Sequence, residues 1–420
     1  MTKQTKLRIL ITGTNSTFDN GDAAMSSMAI MSLKKILPNS SFVIGSTYCF
    51  GDEARYKRML PNESKDVTIV GAINSAKVPQ AIRAVLVILR YIPEFFKADF
   101  CVDISGDGYS DVAQHSFASS ITHNIQLLIA ISLRKKVAIC AQSIGPFKKT
   151  FTRSLARYVI DRVSLVTVRE TISKKYLRSI GVANPNIELT GDLAFLLDPV
   201  SAEKAKNFLT KENVPVNHAL VGIAVSDIIS DWAFPDIKDR QLKYTFYIDS
   251  MIKLADYFVE KFCCTVLLIP QSIGQYARHD DRRAMRNIWK GVKNTKDVVM
   301  IAGEYTPQEI RAIIGQCQLI VSGKMHSAIA AVSMYIPVVV LAYSYKTPGI
   351  FGAKLDLNNA IIDVRSIFST DFLSILFEKV NQTWNNREEI SKKIRTNVLR
   401  EQSVAALNAV LIKKTLYNEC

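Results

Sequence analysis

Val321-Ser322-Gly323-Lys324-Met325-His326-Ser327-Ala328 is the segment whose residue types could most directly do chemistry. An apolar run ends, a glycine turns, and a lysine and a histidine arrive where a small-residue helix with Ala328, Ala330 and Ala331 is expected to begin. A helix N-terminus and a neighbouring ammonium both disfavour an imidazolium. His326 is therefore expected to be a neutral imidazole able to act as base, with a structural role at a helix start as the alternative. Lys324 offers a cation for an anionic ligand. The next apolar run leads into Tyr343-Ser344-Tyr345-Lys346, which places a second cation, Lys346, at another strand end. His115, His123, His218 and His279 lack this context.

Other polar clusters follow apolar runs earlier in the chain. Gly13-Thr14-Asn15 and Asp19-Asn20-Gly21-Asp22 form neither a dinucleotide fingerprint nor a phosphate-binding lysine loop. They still make a glycine-containing loop that feeds a helix N-terminus, where backbone N–H groups receive anions or hydroxyls. Asn20 and Asp22 are its contact candidates, and for Asp22 a plain N-cap is the alternative. Asp103-Ile104-Ser105-Gly106-Asp107-Gly108-Tyr109-Ser110-Asp111 is rich in carboxylates, but no Glu stands where a calcium loop would need one. Asp107 or Asp111 is read as a contact to ligand hydroxyls, with a purely structural role in the loop as the alternative. Arg169 ends a further run, and its planar fork suits a carboxylate or phosphate, the alternative being a pair with a neighbouring acid. Gln142 and Gln271 each open the tetrapeptide Gln-Ser-Ile-Gly after an apolar run, an internal echo that would place both at strand carboxyl ends. No paired His/Cys spacing is present, so no metal site is expected.

These residues need a scaffold that delivers strand ends, and the hydropathy pattern supplies one. Short β-rich runs at residues 7–12, 41–44, 67–70, 100–104, 137–141, 165–168 and 187–189 alternate with helix-length segments. A second series occupies residues 219–225, 266–269, 298–301, 319–321 and 338–341. The runs are continuously apolar, as in parallel sheets covered on both faces. The fold class expected is therefore α/β. It comprises a Rossmann-like domain over residues 1–198, a linker over 199–218, a second Rossmann-like domain over 219–362 and C-terminal helices over 363–420. A cleft between the domains is part of that expectation, with His326 and Lys324 addressing a ligand from the second domain and Arg169 from the first.

The 420 residues carry 53 Lys and Arg against 38 Asp and Glu, a formal charge of +15, which points to an acidic partner. No zinc-finger or RNA-binding signature accompanies it, and the excess is read as spread along the chain, so nucleic acid is not the expected partner. The seven cysteines are sparse and odd in number, as for buried reduced thiols in a cytoplasmic protein. No signal peptide is read at the start and no apolar stretch reaches spanning length. The nearest, Val78 to Phe96, is broken by Arg83, Arg90 and Pro93. If the ligand is lipid-linked, part of the positive charge is expected near this segment, holding the chain to the inner face of the membrane.

Taken in order, several segments resemble the polysaccharide pyruvyl transferase family. They are Asn20-Gly21-Asp22, Ser105-Gly106-Asp107-Gly108 with Asp111, Gln142-Ser143-Ile144-Gly145-Pro146 and Val168-Arg169-Glu170. Thr190-Gly191-Asp192-Leu193-Ala194-Phe195, Gly323-Lys324-Met325-His326 and Pro337 through Lys346 complete the set. Lys324 stands where the family commonly has Arg, and Ser105 and Asp107 interrupt its glycine loop. The resemblance implies a GT-B-like fold and transfer of the enolpyruvyl group of phosphoenolpyruvate onto two sugar hydroxyls, giving a pyruvate ketal in exopolysaccharide, capsule or cell-wall polymer biosynthesis. Phosphoenolpyruvate is then a donor substrate and no cofactor is needed. Arg169, Lys324 and Lys346 are its candidate cations, and His326 is the candidate acid or base. A nucleotide-sugar glycosyltransferase and a catalytically silent scaffold of a polysaccharide assembly complex are the competing readings.

Overall fold

Runs of valine, isoleucine and leucine form two all-parallel sheets in the computed structural model. The model describes residues 6–14, 16–46, 49–71, 80–111, 117–215, 217–226, 229–234, 237–274, 280–344 and 346–418. The first sheet contains β1 (Leu7–Thr12), β2 (Ser40–Ser46), β3 (Val67–Gly71), β4 (Phe100–Asp103), β5 (Lys136–Gln142), β6 (Leu165–Val168) and β7 (Ile187–Leu189). Its order is β3-β2-β1-β4-β5-β6-β7. The second contains β8 (Leu220–Val225), β9 (Thr265–Pro270), β10 (Val298–Met300), β11 (Leu319–Ser322), β12 (Val338–Ala342) and β13 (Ile361–Asp363), in the order β10-β9-β8-β11-β12-β13. Every residue of β4, β6, β8, β9, β11 and β12 is buried, which is why these strands read as unbroken apolar runs.

In each sheet the chain lays down three strands in one direction and then returns to the other side of the first. The order therefore reverses between β1 and β4 and again between β8 and β11. Connections diverge at such a point and leave room outside the strand carboxyl ends, the usual ligand position in open α/β sheets. Gly13, Ser105, Ser226 and Lys324 all follow the strands that flank these points.

The chain divides into two compact units: residues 1–18, 22–196 and 402–420 in the first, and 19–21 and 197–401 in the second. In the second, Tyr247, Met251, Leu254 and Phe258 of helix Arg240–Phe262 pack on Val221, Ile223, Val266 and Leu268. In the first, Tyr91, Phe95, Leu127 and Val159 close over Leu10, Cys101, Val137 and Ile139. Burying one such side chain contributes about 1.5–3 kcal/mol.

Three boundaries differ from the sequence expectation. Residues 199–218 are not a linker: helix Ala202–Lys211 lies in the second unit, Phe208 packs on Tyr305, and the Glu212 carboxylate accepts from Gly303 N at 2.9 Å and Tyr305 Oη at 2.8 Å. β13 is a strand missed by the sequence pattern because its apolar run is only two residues, half-buried Ile361 and buried Ile362, before the exposed Asp363. The final helix, Arg387–Tyr417, is shared: through Glu401 it groups with the second unit, and from Gln402 with the first, where Asn408 is buried and accepts from Thr167 and Thr190. Cys101, Cys140 and Cys264 are buried thiols that burial pushes up to about 12, which makes them poor nucleophiles, whereas Cys263 is exposed.

Candidate active site

In the second unit the chemistry-bearing residues converge beyond the carboxyl ends of β9 and β11. Helix Met325–Ser333 starts where Gly323 turns out of β11, with Lys324 as its N-cap residue. Lys324 N donates to Ser322 Oγ at 3.2 Å, and Lys324 O accepts from the same hydroxyl at 2.7 Å, which fixes the turn. The Lys324 side chain is only 8% exposed. Its ammonium donates to Ser272 Oγ at 2.7 Å and lies 2.9 Å from Asp281 Oδ2. Asp281 Oδ2 also accepts from the backbone N–H groups of Gln271 and Ser272, at 3.0 and 2.7 Å. A buried carboxylate thus holds both the β9 loop and the lysine.

The Asn20 loop belongs to this cluster. Asp19 pairs with Ser272 in a β-bridge, and Asp19 Oδ2 accepts from Ser272 Oγ at 2.5 Å. Asn20 N donates to Gln271 O at 3.0 Å, and Gly21 N to Asp19 Oδ1 at 2.8 Å. Gln271 Oε1 accepts from Ser327 Oγ at 2.6 Å and so ties the loop to the helix that carries His326. His326 is half-buried, and a methyl group at Gly21 would lie 2.1 Å from its Nδ1. Gly21 is thus required by the imidazole that rests on it. An imidazole at a helix start is a group that can take or give a proton. Lys346 is buried just before the Pro348–Lys354 turn, and Asp22 is half-buried in the first turn of helix Asn20–Ile36.

The first unit builds a separate polar cluster at its own switch point. Asp103 at the end of β4 is buried and accepts from Thr12 Oγ1 at 3.1 Å, Ser105 Oγ at 2.8 Å and Gln142 Nε2 at 3.1 Å. Gln142 Oε1 accepts from Ser105 Oγ at 3.1 Å. Gln142 is therefore a buried brace between β4 and β5. Asp107 is half-buried, in a turn closed by its N–H to Ser105 O at 2.8 Å. Asp111 holds the entry to helix Thr150–Ile160, accepting from Lys148 N, Lys149 N and Thr152 Oγ1. Burial alone would raise its carboxyl, but those hydrogen bonds outweigh burial and hold it below the usual carboxylate range.

Arg169 is paired with an acid, the alternative reading of its sequence context. It is 1% exposed, its Nη1 lies 2.6 Å from Asp192 Oδ2, and its Nε donates to Ser143 Oγ at 2.8 Å. An acid on the next strand connection answers its charge, so it buttresses the glycine loop: a methyl at Gly106 would sit 3.8 Å from its Nη1. The Gln-Ser-Ile-Gly echo is not a structural repeat. β5 stands two places past the reversal in its sheet, whereas β9 lies on the opposite side of the reversal in its own. The sequence reading also passed over three residues. Asp281 and Ser272 were missed because they meet Lys324 only through the fold. His123 was missed although it lies in the first two turns of helix Phe117–Ser132, which must start above the end of β4. A methyl at Gly108 would lie 2.6 Å from its Nε2. Position within the helix that follows β4 was the signal available. His115, His279 and Tyr345 lie outside the described residues.

Comparison with known proteins agrees with this architecture. The amylovoran biosynthesis protein AmsJ of Erwinia amylovora is 22% identical over 420 residues, covering 94% of this chain and 96% of AmsJ. A putative UDP-N-acetylglucosamine 2-epimerase from Listeria monocytogenes superposes with a TM-score of 0.64 at 12% identity, covering 99% of this chain and 97% of that one. UDP-GlcNAc 2-epimerase from Neisseria meningitidis gives 0.60 at 15% identity, with 98% and 100% covered. These structures share the two-domain α/β fold of GT-B type. The family model for polysaccharide pyruvyl transferase matches residues 21–345, which include Gly21, Gln142, Gln271, Lys324 and His326, and the chain belongs to the polysaccharide pyruvyl transferase family.

Proposed function

We propose that this chain transfers the enolpyruvyl group of phosphoenolpyruvate to two hydroxyls of a sugar in exopolysaccharide biosynthesis, forming a pyruvate ketal and releasing phosphate. The observation that carries the reading is the cluster of Lys324 and His326 at the second switch point, inside the span matched by the family. In the reaction C2 of the donor gains bonds to two sugar oxygens and loses its bond to the phosphate oxygen. C3 gains one proton and becomes a methyl group. Of the two hydroxyl protons, the equivalent of one goes to C3 and the other leaves with phosphate. His326 is the residue proposed to move one of these protons, and Lys324 and Lys346 are the cations proposed for the donor's carboxylate and phosphate. The donor already holds the activated group, so this chemistry calls for no cofactor.

The test is phosphate release from phosphoenolpyruvate with a competent acceptor. His326→Ala is expected to lower turnover by about 10²–10⁴ with an unchanged circular dichroism spectrum. A His326→Ala protein with near-normal turnover would leave His326 a structural residue and remove the catalytic assignment.

A further inference from the structure

Residues 148–178 contain Lys148, Lys149, Arg153, Arg157, Arg162, Arg169, Lys174, Lys175 and Arg178 against only Asp161 and Glu170. Nine basic less two acidic residues is a net +7, close to half the +15 of the whole chain. Arg169 and Glu170 are buried, so on the surface the bases meet two acids, Asp161, 3.6 Å from Arg157, and Asp111, half-buried at the entry to the first helix beside Lys148 and Lys149. Two helices carry them. Thr150–Ile160 turns Thr152, Ala156, Val159 and Ile160 inward, which leaves Arg153 and Arg157 outside. Thr171–Ser179 buries Ser173 and Leu177 and leaves Lys175 and Arg178 outside. The two are neighbours: Phe147 N donates to Tyr176 Oη at 2.8 Å, and a methyl at Gly181 would lie 3.1 Å from Arg157 Nη1. Among the bases, Phe151 is 60%, Tyr158 49% and Ile172 38% exposed.

We infer that this two-helix face docks on an anionic phospholipid bilayer. The charge complements acidic headgroups, and exposed Phe151 and Ile172 offer apolar groups that can enter the boundary with the acyl chains. The same features argue against a nucleic-acid surface. An aliphatic Ile172 has nothing to meet on a phosphate backbone, and the Tyr158 ring is covered by the Arg162 guanidinium at 3.6 Å instead of being open for base stacking. The inference does not depend on the donor chemistry, because vesicle binding reads the surface alone.

Flotation of the full chain with vesicles of phosphatidylcholine, with and without phosphatidylglycerol, tests it. Binding is expected only with phosphatidylglycerol, and it should weaken between about 0.15 M and about 1 M salt as the Debye length shrinks from about 8 to about 3 Å. Replacing Arg153, Arg157, Lys175 and Arg178 together by Gln should lower vesicle affinity roughly a hundredfold or more, at about fivefold per charge. Phe151→Ser should weaken vesicle binding while leaving retention on heparin unchanged. Equal binding to both vesicle types would overturn the inference. So would a well-folded fourfold variant that binds like the parent, or a Phe151→Ser chain with unaltered vesicle binding. The last outcome, with heparin retention intact, would make the face a general polyanion surface. The wild-type vesicle comparison and Phe151→Ser stand even if the fourfold variant folds poorly.

Discussion

Lys324 shows how a site residue acquires a second duty from its neighbours. The sequence alone presents it as a cation for an anionic ligand. In the fold its ammonium sits between Ser272 and the buried Asp281, and Ser272 is 52 residues away along the chain, so neither partner was legible from spacing. Breaking a buried pair by removing one partner typically costs about 3–5 kcal/mol, because the other charge is left behind. Lys324→Met is therefore expected to destabilise the chain as well as impair binding. Lys324→Met with Asp281→Asn should recover most of the stability but not the activity. Urea unfolding of both variants checks this, and equal losses would contradict it. Gly21 is a positioning residue for His326 on the same footing. Gly21→Ala is expected to lower kcat by displacing the imidazole, and adding it to His326→Ala should cost little more, since both remove one function. Fully additive losses would show that Gly21 acts elsewhere. Residue type and position make Lys324 and His326 legible, and position alone points to His123, whereas Asp281 and Ser272 require the folded chain.

At the scale of elements most of the scaffold could be read directly. β1 and β6 match their apolar runs end to end and the other long strands differ by a residue or two, because buried parallel strands have to be apolar throughout, and the short, less covered β7 matches as well. β13 escapes because two isoleucines before an aspartate make too short a run to carry a pattern, and the 199–218 joint differs because its polar helix packs on the second unit. Asp111 illustrates a residue assigned to chemistry that instead serves an element. Its carboxylate fastens the entry to helix Thr150–Ile160, so Asp111→Ala should cost about 1–2 kcal/mol at neutral pH. Because its folded carboxyl lies below the ordinary 3.8, the contribution is present above that pH and is lost as pH falls through the folded value. The stability gap between parent and variant, followed by urea unfolding, should therefore be constant from neutral pH to about 5 and close below about 4. A gap that persists unchanged in acid would mean that the ionised form is not what matters.

For the whole molecule, the surplus of bases points to an acidic partner, and the fold shows where one dense group of them lies. The excess was read as spread along the chain, with a face expected near Val78–Phe96, yet the densest described exposed group lies on helices Thr150–Ile160 and Thr171–Ser179. Bases interleaved with buried positions make no visible run in sequence and gather only when the helices fold. Side chains 72–88 lie outside those described, so only the end of the Val78–Phe96 segment can be compared, where Leu89 and Phe96 are exposed. The donor reading also makes a statement about the whole catalyst: activity should survive EDTA, and loss with recovery on adding Mg²⁺ would turn attention back to Asp107 and Asp111. The central claim is the identity of the donor, and a paired assay addresses it most directly. The purified chain is given a polysaccharide-derived acceptor with phosphoenolpyruvate or with a nucleotide sugar, and released phosphate, released nucleotide and acceptor mass are followed together. The account predicts phosphate release from phosphoenolpyruvate matched one for one by acceptor gaining a pyruvate ketal, with no nucleotide release. Nucleotide release matched by a gained sugar, with phosphoenolpyruvate untouched, would contradict it.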